Sequence, residues 1–140
     1  VSALYEQRDT VHVMMCHLPS QLGGASNTDW KRQRAKSLIQ SQIDSIFLFQ
    51  PSANIVVMGD MNTLPQEDLR GMANMMLSIQ KSGQGTHKYQ GIWTCLDQFY
   101  VSHSLLEQIG SLTTNYQYSS KPLVIWQIQQ LLHPLLHLPF

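Results

Sequence analysis

Four polar side chains stand where apolar runs stop: His17 at the end of "TVHVMMCH", Asp60 and Asn62 in "NIVVMGDMN", and Asp97 within "TCLDQFYVS". In extended chain, Asp60 and Asn62 lie two positions apart and share a face, so they could converge on one point. Spacing alone favours a plainer reading, an acidic turn, because Asp and Asn start turns readily. Asp97 is the more informative carboxylate, since Leu96 and Phe99-Tyr100-Val101 around it suit burial. A buried carboxylate needs an ion partner, hydrogen bonds or a metal. In α/β sheets, ligands collect at the loops that leave the strands. An imidazole, two carboxylates and a carboxamide at such ends could handle a phosphate and a divalent cation. The carboxylates offer hard oxygen ligands for Mg²⁺, and the imidazole offers a donor to a phosphate oxygen. Cys16 is beside His17, but neighbours on a strand face opposite ways, so the two do not make a thiol–imidazole pair.

The elements that must position these residues alternate. Residues 10–20 read as a buried strand with Val11, Val13 and Met15 on one face, ended by Pro19. A loop follows over 21–29, with Asn27, Thr28 and Asp29 as candidate caps. The spacing of Ala35, Leu38, Ile39, Ile43, Ile46 and Phe47 predicts a helix from Trp30 to Phe49. A strand over 55–58 comes next, and then a helix over 66–81 with Leu69, Met72, Ala73, Met76 and Leu77 as its core face. Residues 82–93 read as a glycine-punctuated loop, 94–102 as a strand, and 103–109 as a short helix stopped by Gly110. Such alternation indicates an α/β layered domain.

A chain of 140 residues suits one domain with a fair core. Nine basic residues balance nine acidic ones, so any recognition of phosphate must be local. Cys16 and Cys95 each sit in an apolar run, which fits two buried thiols better than a disulfide framework or a zinc site. From Pro122 to Phe140 no residue is charged, yet glutamines, histidines and prolines interrupt the stretch. A docking helix over 123–133 suits it better than a membrane span. The chain opens on Val1 without a leader pattern, and its localisation stays undetermined.

Three segments, in this order and at these intervals, resemble the endonuclease/exonuclease/phosphatase superfamily: "HLPSQLGG", "IVVMGDMN" and "GTHKYQGIWTCLDQFYVS". The likeness is greatest to the bacterial, Bacteroidetes-type members, and it runs over about residues 5–105. It implies a DNase I-like four-layer α/β sandwich, of which this chain would be the C-terminal half, and a Mg²⁺- or Mn²⁺-dependent phosphoesterase. By the same resemblance, His17 donates to the scissile phosphate and Asp60 activates the attacking water as general base. Asn62 steadies Asp60 or the phosphate, and Asp97 is the supporting carboxylate on the next strand. Asp60 and Asn62 would be partial or indirect metal contacts.

Arg34 matches a basic position of the bacterial group, and Lys88 and Tyr89 match the loop before Asp97; all three are candidate substrate contacts. The run "DWKRQRAK" offers Lys31, Arg32, Arg34 and Lys36 as a phosphate patch. The plainer reading is a solvated helix face, with positions 32 and 36 sharing the outer side. Tyr89 and Trp93 could stack on a base or sugar, although packing beneath the loop is the plainer role.

The chain also departs from the family. The family's metal-binding Asn and Glu would precede Val1, and none of Glu6, Glu67 or Glu107 has the context to replace that Glu. The family's closing Ser-Asp-His has only His137 as a remnant, with Leu136 in place of the Asp. Residues 1–120 therefore read as a partial domain and 121–140 as an atypical apolar tail, for which a shifted reading frame is one origin. Gln21 replaces a usual Arg, and Met61 a usual Phe. Two functions follow. One is a phosphoesterase acting on a phosphate ester, with nucleic acid among the candidates; the other is a silent domain of the same fold that binds phosphorylated ligands or a partner. Neither substrate nor oligomeric state can be read from the sequence.

Overall fold

A computed structural model describes residues 10–22 and 24–113. The elements run β1 (Val11–His17), α1 (Ala25–Phe49), β2 (Asn54–Asp60), β3 (Met72–Asn74), α2 (Leu77–Lys81), β4 (His87–Tyr89), β5 (Ile92–Thr94), β6 (Asp97–Ser102) and α3 (His103–Thr113). The expected apolar tail, its helix over 123–133 and His137 lie outside the described residues. The chain divides into two compact units, Val1–Leu106 and Glu107–Phe140. The first carries every strand among the described residues; of the second, only the end of α3 is described.

β1, β2, β6 and β3 form one sheet in that order, and β4 and β5 form a separate hairpin. β1 runs parallel to β2, as a helical crossover through α1 requires, while β6 is antiparallel to both β2 and β3. Because β6 runs the other way, its start lies beside the ends of β1 and β2. One rim of the sheet thus gathers three chain segments.

The core forms between α1 and one face of the sheet. Ile43 of α1 packs with Ile55, Val57, Met72 and Tyr100, joined by Met14, Cys16, Ile39 and Phe47. This reverses the expected facing of β1. His12, Met14 and Cys16 are the partly buried set, whereas Val11, Val13 and Met15 are exposed on the opposite face. Alternation was the correct pattern, but two apolar sets of similar strength left the core side undecided.

The helix expected over 66–81 is also corrected. Only Leu77–Lys81 is helical, and β3 occupies Met72–Asn74. Gly71 has φ +78 and faces Phe47, where a β-carbon would come within 2.8 Å of the ring. A left-handed residue at that point ends any helix and lets the chain enter the sheet. Leu69 and Met72 are buried as expected, although through a turn and a strand. The segment 82–93 likewise holds more order than a loop. Gln90 and Gly91, at φ 48 and 85, form a two-residue turn that closes the β4–β5 hairpin. α3 runs through Gly110 rather than stopping there.

Candidate active site

The register of the sheet sets His17 beside Asp60 and Asp60 beside Asp97. Cys16, Gly59 and Gln98, one step away, occupy the α1 side, so the three side chains share the other face, in a single row along the rim. His17 Nε2 lies 3.9 Å from Asp60 Oδ2. Asp97 stands one further strand across, about 10 Å from His17 at the usual strand spacing. His17 and Asp97 are exposed and Asp60 is half-buried, so the row is open to solvent.

Gly59 makes this closeness feasible. A β-carbon there would overlap the carbonyl oxygen of Cys16, so only glycine lets β1 and β2 meet immediately before the His17–Asp60 pair. Past the strands, the exits are tied together. Leu18 N donates to Asp60 O at 2.8 Å, and Met61 N donates to Leu96 O at 2.8 Å. Asn62 N donates to Asp60 Oδ1 at 2.8 Å, closing an Asx turn.

Asn62 does not share a face with Asp60. The strand ends at Asp60, and Asn62 takes φ 49, with its buried side-chain amide donating to Leu18 O at 2.9 Å. The turn reading of this motif therefore holds, and Asp60 nevertheless keeps a carboxylate oxygen toward the row. One carboxylate oxygen of Asp60 closes the turn, while the other faces His17. Gln21 completes the clamp by donating to Asn62 O at 2.8 Å.

The basic run on α1 resolves against expectation. Arg32 and Lys36 share the inner side of the helix, only 3% and 9% exposed. Arg32 donates to Thr28 Oγ1 at 2.8 Å and to the carbonyls of Pro19 and Ser20 at 3.4 Å, fixing the loop that follows His17. Lys36 pairs with Asp68. Positions 32 and 36 were expected to share the outer side, but acceptors on the loop after β1 and at Asp68 draw both heads inward. Lys31 and Arg34 are exposed.

A polar network missing from the sequence reading lies beneath Asp97. Gln98 donates to Thr63 O at 2.6 Å, next to Asn62. Its Oε1 accepts from Asn74 at 3.0 Å and lies 2.8 Å from the Tyr100 hydroxyl, itself 2.8 Å from Asp68 Oδ1. Burial first, and then the Asp68 charge, push the Tyr100 phenol far above its usual range. Burial likewise raises the Cys16 and Cys95 thiols, which disfavours thiolate chemistry. The alternation of "QFYVS" held the only sequence signal for this network: Gln98 and Tyr100 share a face, which is the buried one.

Among the described residues, no group of three or more His, Cys, Asp and Glu side chains could hold a metal ion. Asp60 and Asp97 supply carboxylates on adjacent strands, but the described residues do not by themselves make a cation site.

The Endonuclease/Exonuclease/phosphatase family model matches residues 3–133. The chain belongs to that family. The match extends past residue 105, where the sequence motifs end. The family is one of phosphate-ester hydrolases, in which divalent metals are generally used. Among solved structures, truncated TDP2 from Caenorhabditis elegans is similar, with a TM-score of 0.50 and 18% identity over 66% of this chain. At that identity the likeness is one of fold, here the DNase I-like α/β fold. The match spans 40% of the TDP2 chain. No curated protein matches the sequence.

Proposed function

We propose that this chain carries part of the active site of a phosphoesterase, in which His17, Asp60 and Asp97 face one scissile phosphate. The observation that carries the reading is the in-register row of these three residues on one face of the sheet rim. A substrate phosphate set against His17 would accept a hydrogen bond from its Nε2–H, and the bond strengthens as charge grows on the oxygen. Asp60 keeps Oδ2 outside the Asx turn, free to orient a water and take its proton. Asn62 then acts by position, holding the Asp60 loop to the exit of β1 through Leu18 O. Asp97 supports the phosphate side of the row.

A requirement for Mg²⁺ or Mn²⁺ belongs to the same reading. Asp60 and Asp97 would contribute oxygen ligands, the remainder coming from water, substrate or residues beyond those described. Arg34, Lys88 and Tyr89 are exposed and remain candidate substrate contacts. The lack of a three-ligand cluster among the described residues favours a second reading, a silent phosphate-binding domain of this fold. Hydrolysis of bis-p-nitrophenyl phosphate by the full-length protein and by its Asp60→Asn variant separates the two. Turnover lost in the variant supports the enzyme, and phosphate binding without turnover supports the silent domain.

A further inference from the structure

The β4–β5 hairpin leaves the sheet at the rim that carries the candidate site. Its stem joins that rim directly: Asp97 N donates to Thr86 Oγ1 at 3.1 Å, and Thr86 N donates to Thr94 O at 2.9 Å. Gly85 lets the stem close, since a β-carbon there would lie 2.5 Å from Thr94 O. Beyond the stem the hairpin pairs with neither edge of the main sheet, and its side chains are bare. Tyr89, Ile92 and Trp93 are 66%, 69% and 43% exposed. Packing beneath a loop, the plainer expectation for the two rings, does not occur.

The two faces of the hairpin differ. Lys88 and Trp93 are paired on one face, with the ammonium 5.2 Å from the ring centroid. His87, Tyr89 and Ile92 occupy the other, with the Tyr89–Ile92 pair about 7 Å beyond the His87–Thr94 pair. Residues 82–96 contain no Asp or Glu but include His87 and Lys88. Exposed rings and the Lys88 ammonium, without a carboxylate in the hairpin, suit a ligand that alternates planar rings and phosphates.

We infer that this hairpin is a docking arm for a single strand of nucleic acid whose scissile phosphate lies on the His17–Asp60–Asp97 row. The inference rests on the phosphoesterase reading and names its substrate class. Bases stack on Tyr89 and Trp93, while Lys88 neutralises a backbone phosphate. A membrane-inserting hairpin would carry its apolar residues at the tip, but here the tip is Gln90 and Gly91. An inositol polyphosphate would call for a denser cluster of cations than Lys88 provides.

The test is fluorescence anisotropy of a labelled 12-residue oligo(dT) on the full-length protein carrying Asp60→Asn, alone and with Tyr89→Ala, Trp93→Ala or Lys88→Ala. Each aromatic truncation should weaken binding roughly tenfold, as loss of one stacked base does. Lys88→Ala should lower the salt slope by about 0.7. Thermal unfolding should not move, because all three side chains are exposed. Unchanged affinity in both aromatic variants would overturn the arm, as would tighter binding to phosphatidylserine vesicles or inositol hexakisphosphate than to the oligonucleotide. Hydrolysis of bis-p-nitrophenyl phosphate, too small to reach the arm, is read with Asp60 intact, on the unsubstituted protein and on Trp93→Ala, and keeps the two proposals apart. If Trp93→Ala keeps that activity while both aromatic substitutions leave DNA binding unchanged, only the arm fails. If the unsubstituted protein lacks that activity but the aromatic variants still lose DNA, only the phosphoesterase reading fails.

Discussion

Asn62 donates its side-chain amide to the carbonyl of Leu18 at 2.9 Å, so the loop leaving β2 holds the loop leaving β1. His17 precedes one partner and Asp60 the other by one and two residues. The bond is buried, and removing the donor leaves Leu18 O without this partner. Asn62→Ala should therefore cost about 1–3 kcal/mol in urea unfolding. If the site depends on the clamp, kcat should fall further than KM rises. A variant as stable as the parent would show that the clamp contributes nothing.

Gly59 allows no side chain, because the backbone of Cys16 occupies the place of its β-carbon. Gly59→Ala should destabilise by more than about 3 kcal/mol or prevent folding, since an overlap with backbone cannot be relieved by a rotamer change. Gly83→Ala is the control. That site has φ +77 but open space, so only backbone strain of about 1 kcal/mol is expected. Equal losses at the two positions, read from urea midpoints, would contradict the account of the β1–β2 approach.

Tyr100 links stability to alkaline pH. Its phenol is raised in the folded chain, so the native state keeps the proton that the unfolded state releases near pH 10. The stabilising contribution is complete below that pH and is lost as pH climbs above it. The limiting slope is about 1.4 kcal/mol per pH unit. Tyr100→Phe should be less stable than the parent at pH 8, having lost its bond to Asp68, and should lose less stability between pH 9.5 and 11. Parallel pH curves for the two proteins would refute this.

The cations of α1 should divide sharply. Arg32→Met breaks the tie to the loop after His17 and should cost about 2 kcal/mol or more, whereas Arg34→Ala should stay within about 0.5 kcal/mol. Should Arg34 meet substrate, its loss will appear in KM and salt dependence alone. Thermal melts and steady-state kinetics on both variants decide the matter.

Much of the site frame was legible in the sequence because strands that end in polar residues are a local signal. His17, Asp60 and Asp97 each follow or interrupt an apolar run, and register then aligns them. What could not be read depends on distant partners. The inward turn of Arg32 and Lys36 is decided by the carbonyls of Pro19 and Ser20 and by Asp68. The strand at Met72–Asn74 replaced a helix because β6 offered an edge and Gly71 a left-handed turn. The core side of β1 hinged on where α1 lies, which alternation alone does not encode.

The most direct measurement is the rate of bis-p-nitrophenyl phosphate hydrolysis by the full-length protein with Mg²⁺, beside His17→Ala and Asp60→Asn. Turnover should be abolished by EDTA and reduced at least about a hundredfold in each variant, with thermal midpoints little changed. Turnover that survives in both variants, or a well-folded parent with none, would contradict the assignment of the His17–Asp60–Asp97 row as a phosphoester-cleaving site.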